Sequence, residues 1–212
     1  MHDIQSAEKL ALKHNAVIDT SDVMQRVHVL RERFIRATLK GVDQWEASHK
    51  ISGQAKFIDT HTVEVNGQTY QAKSFIVSVG SRPNIDKVLK QELGDRYLTS
   101  DEIFELSQLP KSLAVIGSGV IAIELAQAMQ RLGVSTTMFA RSQKVGSLSS
   151  PTLQSLAQKE LSQEINIKFK VLPDQVKKLA DQIKINFTEN DQVQSIEVDY
   201  ILGATGRQTN LD

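Results

Sequence analysis

The chain has no cysteine among its 212 residues. That excludes disulfides, thiolate zinc sites and any thiol nucleophile within this stretch. It also lacks a surplus of either charge, since 25 basic and 25 acidic residues leave a formal net charge of +0. No net field draws it toward nucleic acid or an anionic membrane surface. No run of roughly 18 apolar residues occurs, so nothing reads as a membrane-spanning helix. The five histidines, His2, His14, His28, His49 and His61, stand far apart and form no H-x-x-x-H pair. No metal site is expected from them. The opening "MHDIQSAEKLALKHN" mixes charges where a signal peptide would run from basic to apolar. A cytoplasmic address is the default expectation.

What is present is a globular composition, 40% hydrophobic and 24% charged, with length for one large domain or two small ones. Residues 4 to 14 could form a short helix. A longer one, capped by Ser21 or Asp22, would carry Val23, Val27, Leu30, Phe34, Ala37 and Gly41 on one face. Arg26, Arg31, Glu32, Arg33 and Arg36 fill the other, and Trp45 reads as a packing residue. From residue 51 the period changes to two. "ISGQAKFID", "HTVEV", "QTYQA" and "SFIVSVG" read as strands, with Asn66-Gly67 a hairpin turn. A connector with Pro83 and Pro110 near its ends contains one short helix, capped by Ser100 or Asp101.

Beyond it, "LAVIG" is a wholly apolar strand of the kind buried on both faces of a parallel sheet. "GVIAIELAQAMQRLG" is a helix with Gly133 as its stop, and "STTMF" is the next strand. Ser150-Pro151 starts a further helix. "INIKFK", "QVKKLA", "IKINFTE" and "VQSIEV" read as an antiparallel meander leading into "YILGATG". Residues 73–80 align without gaps on 199–206, and each stretch follows a hairpin-like pair, which points to an internal duplication. The expected class is α/β, a Rossmann-like parallel sheet with an antiparallel meander.

The chemistry sits in Gly117-Ser118-Gly119-Val120-Ile121-Ala122, which fits G-x-G-x-x-G/A between a strand and a helix. Gly117 allows the tight turn, Gly119 lets a diphosphate approach the backbone, and Ala122 lets the helix pack close to the sheet. The diphosphate would rest on free N–H groups at the positive helix end. The carboxylate that accepts from an NAD ribose is expected about 20 residues on. Here the strand ends in Ala140, followed by Arg141, Ser142 and Lys144. An arginine fork suits a 2′-phosphate that a carboxylate would repel, so NADP is favoured over NAD. The plainer alternative is a solvated basic turn. Glu124 serves either as a carboxylate at a helix start or as a neighbour of the nicotinamide.

"PKSLAVIGSGVIAIELAQAMQRLGV", "YILGATGRQTN" and "SFIVSVGSRP", in that spacing, resemble the pyridine nucleotide-disulfide oxidoreductases. The pair Val120-Ile121 looks dihydrolipoamide dehydrogenase-like, whereas "FARSQK" is similar to NADPH-using members, including mercuric reductase. The resemblance implies an NAD(P) domain inserted in an incomplete FAD domain. Residues 1–85 would be FAD-domain sequence, 86–204 the NAD(P) domain, and 205–212 the return. It further implies an FAD fingerprint and a redox cysteine pair upstream of Met1, a His-Glu pair beyond Asp212, and a homodimeric parent. By resemblance, Gly117 to Ala122, Glu124, Ala140, Arg141, Ser142 and Gly206 meet the nicotinamide dinucleotide. Val79, Gly80 and Ser81 fall where FAD is touched, and no catalytic residue lies in these 212. The expected activity is electron transfer through FAD between NAD(P)H and a dithiol/disulfide substrate. Mercuric or glutathione reductase-like and NADH oxidase-like enzymes are the alternatives, and a non-catalytic nucleotide-sensing Rossmann module is the alternative class.

Overall fold

In the computed structural model, residues 19–211 are described, and they divide into two compact units. The expected helix at 4–14 lies outside the described residues. Among the described residues, one unit comprises 29–80 with 209–211, and the other joins 19–28 to Ser81–Gln208.

Helix α1 (Thr20–Asp43) starts at Asp19, whose carboxylate accepts from the N–H groups of Ser21 (2.8 Å) and Asp22 (3.2 Å). The cap is thus two positions earlier than Ser21 and three earlier than Asp22, and these bonds hold the Asp19 carboxyl below its ordinary value. Met24 is the helix's buried residue, while Leu30, Phe34, Ile35, Leu39 and Val42 are exposed. Trp45 is 61% exposed, so it is not the packing residue expected.

Strands β1 (Ala55–Asp59), β2 (Thr62–Val65) and β3 (Gln68–Gln71) form an antiparallel meander. Val65 pairs with Gln68 across Asn66 (φ 54°) and Gly67 (φ 79°). Two positive φ values are what a type I′ turn demands, and Asn-Gly supplies them at least strain. "SFIVSVG" does not continue the sheet. Residues 74–80 carry no ladder, and Ile76 is 94% exposed. An apolar run becomes a buried strand only where a ladder pairs it and other elements cover it. Here the Phe75 ring meets Phe57 edge to face at 5.1 Å and the Asn210 side-chain amide donates to Val79 O at 3.0 Å, but no ladder forms. Strand β4 (Ser81–Pro83) begins one residue later and pairs with the last strand of the chain.

Two elements of the connector escaped the sequence reading. Helix α2 (Lys87–Leu93) is capped by Asp86, whose carboxylate accepts from the N–H groups of Val88 and Leu89, both at 3.0 Å. Strand β5 (Tyr97–Thr99) is buried throughout. The helix expected after Asp101 is a single 3-10 turn, Glu102–Glu105. Next come β6 (Ser112–Ile116), helix α3 (Val120–Arg131) and β7 (Ser135–Ala140). Helix α4 (Pro151–Ser162) and β8 (Asn166–Phe169) follow. Strands β9 (Pro173–Lys178), β10 (Ile183–Glu189) and β11 (Gln192–Val198) make a second antiparallel meander. The chain ends through β12 (Tyr200–Gly203) and β13 (Arg207–Thr209).

The central sheet has the order β5-β12-β6-β7-β8, with every pairing parallel. Strand β8 was expected in the meander; it lies instead beside β7, with Met138 opposite Ile167. Its four residues are too few for alternation to reveal which sheet they join. Period-two geometry explains the two-sided core. Leu113, Val115, Met138 and Leu202 face one cluster with Ala122, Leu125, Ala126 and Met129 of α3. Ala114, Phe139 and Ile201 face the other, with Leu93 of α2 and Ile183, Ile185 and Phe187 of β10. The Phe139 and Phe187 rings meet edge to face at 5.2 Å. The aligned stretches 73–80 and 199–206 therefore differ in structure, although each follows a three-stranded antiparallel meander.

Gly203 ends β12 against Tyr97, a side chain 1% exposed. Burial pushes the Tyr97 hydroxyl up from its ordinary value, and that oxygen accepts from the Asp86 N–H at 3.2 Å. A Cβ on Gly203 would lie 1.9 Å from the same oxygen. Gly203→Ala is expected to lower stability by about 1–3 kcal/mol. In a urea-unfolding cycle the Gly203→Ala/Tyr97→Leu pair should lose less than the two single losses added together; additive losses would contradict the contact.

Candidate functional site

The site forms at the C-terminal edge of the parallel sheet. Strand β6 ends at Ile116, and Gly117 turns the chain with φ +130°. A Cβ there would fall 2.3 Å from the carbonyl oxygen of Ala204. The Gly117 N–H donates to Phe139 O and the Ala204 N–H to Ile116 O, both at 2.9 Å. The turn is thus anchored to the strands on either side.

Helix α3 starts immediately afterwards, with Gly119 as N-cap and no side chain capping the first turn. The first bond back into the helix runs from the Ile123 N–H to Gly119 O, 3.0 Å. The amides of Val120, Ile121 and Ala122 have no intrahelical partner. They border a cavity of about 800 Å³. A Cβ on Gly119 would meet nothing within 4 Å, so the space above it is open. Bare amides at the positive end of a helix are a natural seat for an anion.

Arg141 and Ser142 line the cavity from the end of β7; Gly203, Ala204, Thr205 and Gly206 line it from the end of β12. Arg207 fastens the rim. Its guanidinium donates to Ser81 Oγ (2.9 Å), Ser81 O (2.6 Å), Ser100 Oγ (3.1 Å) and Asp101 Oδ1 (2.8 Å). The Asn84 N–H donates to Gly206 O at 2.9 Å. The arginine's hydrogen bond holds the Asp101 carboxyl below its ordinary value.

The cavity brings together Gly117, Ser118, Gly119, Val120, Ile121, Ala122, Arg141, Ser142 and Gly206. Glu124 is exposed one helical turn after Val120 and does not line it, and Ala140 is buried in β7. Ser81 is engaged by Arg207, while Val79 and Gly80 belong to the other compact unit. Sequence reasoning missed Asp86, Ser100, Leu172, Ala204, Thr205 and Arg207 as cavity residues. The stretch "GATGR" after β12 held the one available signal. Among the described residues no His/Cys/Asp/Glu group could hold a metal ion, and no helix is long and apolar enough to cross a membrane.

Residues 8–212 match the family described as pyridine nucleotide-disulphide oxidoreductase. The chain belongs to that family. It is 37% identical over 163 residues to a mercuric reductase of Lysinibacillus sphaericus, covering 76% of this chain and 30% of the relative. It is 28% identical over 213 residues to a dihydrolipoyl dehydrogenase of Geobacillus stearothermophilus, covering 97% of this chain and 44% of the relative. The chain therefore spans less than half the length of these relatives, which are oxidoreductases. The solved structure of LpdA from Mycobacterium tuberculosis shares the fold, with a TM-score of 0.71 at 21% identity. That match covers 99% of this chain and 46% of the LpdA chain.

The two glycines separate structure from binding. Gly117→Ala, which meets backbone, should cost more than about 2 kcal/mol of stability. Gly119→Ala, which meets open space, should stay within about 1 kcal/mol of the parent in denaturant titration. It should nevertheless weaken dinucleotide binding by about tenfold or more; unchanged binding would exclude ligand approach at that turn. A second expectation concerns acid. The folded Asp101 pKa lies below the unfolded value, so its contribution is present above about pH 4 and fades as pH falls through the folded value. Asp101→Asn should flatten that limb of the acid-stability curve by less than about 1 kcal/mol, the scale of exposed pairs.

Proposed function

We propose that this chain supplies the nicotinamide-dinucleotide site of an FAD-dependent oxidoreductase that passes electrons between NADPH and a dithiol/disulfide substrate. The observation that carries the reading is the uncapped start of α3 facing the cavity, with Arg141 lining it directly after Ala140, the position where an NAD-selective site would hold a carboxylate. The amides of Val120 to Ala122 take the diphosphate, and the open space at Gly119 admits it. Arg141 and Ser142 take the 2′-phosphate beyond the buried Ala140, and Gly206 borders the other half of the dinucleotide. Glu124 stands toward the nicotinamide end, and Val79, Gly80 and Ser81 serve FAD. Residues 86–204 act as the NAD(P) domain between the FAD-domain stretches 1–85 and 205–212. Flavin, when bound, supplies the hydride chemistry, while the chain positions the dinucleotide and neutralises its charge.

A dihydrolipoamide dehydrogenase-like, cytoplasmic homodimer is the preferred member, on the pair Val120-Ile121 after the glycine turn. A mercuric or glutathione reductase-like enzyme is the second reading, favoured by the higher identity to a mercuric reductase. Titrating NADP⁺ and NAD⁺ against the parent and Arg141→Ala tests the cofactor assignment. Removing a charge-assisted phosphate contact should cost NADP⁺ about tenfold or more, with NAD⁺ changing less than about twofold. Equal losses would overturn the preference for NADP. With FAD bound, lipoamide should be turned over faster than glutathione disulfide or mercuric ion; the reverse order selects the second reading.

A further inference from the structure

Between β7 and α4 the chain runs through residues 141–150 without helix or strand. Such a loop, with four serines among its ten residues, would ordinarily sample many conformations. This one is held at four places. The Lys144 N–H donates to Ser142 Oγ at 3.2 Å, and the Gln158 amide donates to Gln143 O. The Gly146 N–H donates to Ser118 O, in the glycine turn itself, at 2.8 Å.

The fourth hold is Gln154, a polar side chain 9% exposed on α4. Its Oε1 accepts from the Val145 N–H at 2.9 Å, and its Nε2 donates to Val145 O at 3.0 Å and Leu148 O at 2.8 Å. The amide thus pairs with Val145 as a neighbouring strand would, and Val145 is itself buried. A buried amide with these bonds made specifies one arrangement of its partners. Gln154 lines no part of the cavity, whereas Arg141 and Ser142 do.

We propose that Gln154 is a specificity-determining positioning residue, which sets the 141–148 loop so that Arg141 and Ser142 meet a 2′-phosphate. The inference rests on the assignment of that loop to NADP in the proposed function. Its physical content is preorganisation. A loop already fixed at Val145 and Gly146 loses little freedom when the phosphate arrives, so the arginine's bonds appear in full as affinity. Released from Gln154, the loop would have to be ordered by the ligand. That cost falls on the phosphate-bearing cofactor alone, because NAD makes no demand on the loop.

The test is a cofactor titration on single and double variants of the protein. Gln154→Met keeps length and burial but makes no hydrogen bonds; it should weaken NADP⁺ about tenfold and NAD⁺ by less than about twofold. In an Arg141→Ala background the same change should weaken NADP⁺ by clearly less than in the parent, because both residues act on the one phosphate subsite and only Ser142 is left there to report the loop's release. Equal weakening of both cofactors, or additive losses with Arg141→Ala, would overturn the inference. If Arg141→Ala itself fails to discriminate the cofactors, the NADP assignment falls first. If Arg141→Ala discriminates and Gln154→Met does not, Gln154 alone is dismissed. Amide hydrogen exchange of the ligand-free parent covers the case of an unfolded variant. Val145 and Gly146 should be protected there, and exchange at the rate of an open loop would refute the preset arrangement.

Discussion

The close passage of Gly117 beside Ala204 is the constraint from which the site follows. No side chain can stand between the two backbones, since a Cβ would lie 2.3 Å from a carbonyl oxygen. The chain can therefore leave β6 and turn at once into α3 while staying tied to Phe139 on one side and Ala204 on the other. Both strand ends then border the helix start, and the cavity is the space they share with it. A looser turn would carry the bare amides away from the sheet edge and leave an anion with one wall instead of three.

Burial on both faces gives that edge its rigidity. The helices cover one face through Leu113, Val115 and Leu202; the β9–β11 meander and α2 cover the other through Ala114, Phe139 and Ile201. Alternate residues of the same strands feed both clusters, so a one-residue slip in register would exchange the large and small side chains of the two cores. At the cavity end, these strands finish in small residues, Gly203, Ala204 and Gly117. The bulk that stiffens the sheet stops where a ligand would begin. The loop after β7 is different in kind: its order comes from a buried glutamine and from the glycine turn, not from a ladder.

Legibility in the sequence followed the range of the forces involved. The glycine turn, Asn66-Gly67 and the stop at Gly133 were readable because a positive φ is a local demand that few residues meet. Helix α1 was readable from its period, although its cap at Asp19 was not, since Asp19, Ser21 and Asp22 are all competent caps within one turn. Strand β5 was missed because Tyr97–Thr99 is too short to show a pattern and is a strand through its pairing with β12. "SFIVSVG" failed the other way: its apolar pattern is strong, yet residues 74–80 have no ladder. The chain's membership of its family rested on local motifs, and those the sequence does carry.

By itself the sequence determined the parts governed by neighbouring residues: which stretches turn, where helices stop, and that one strand, a glycine turn and a helix follow in immediate succession. Only the tertiary structure decided which strands share a sheet, that β8 lies beside β7 outside the meander, that Arg207 fastens the cavity rim, and that Gln154 holds the loop after β7. The reason is physical. Backbone torsion preferences act over one to four residues, whereas the bonds from Arg207 to Ser81 and from Asp199 to Ser112 cross 126 and 87 positions. Such bonds exist only after the chain has closed those loops, and no local pattern records which partner will be there.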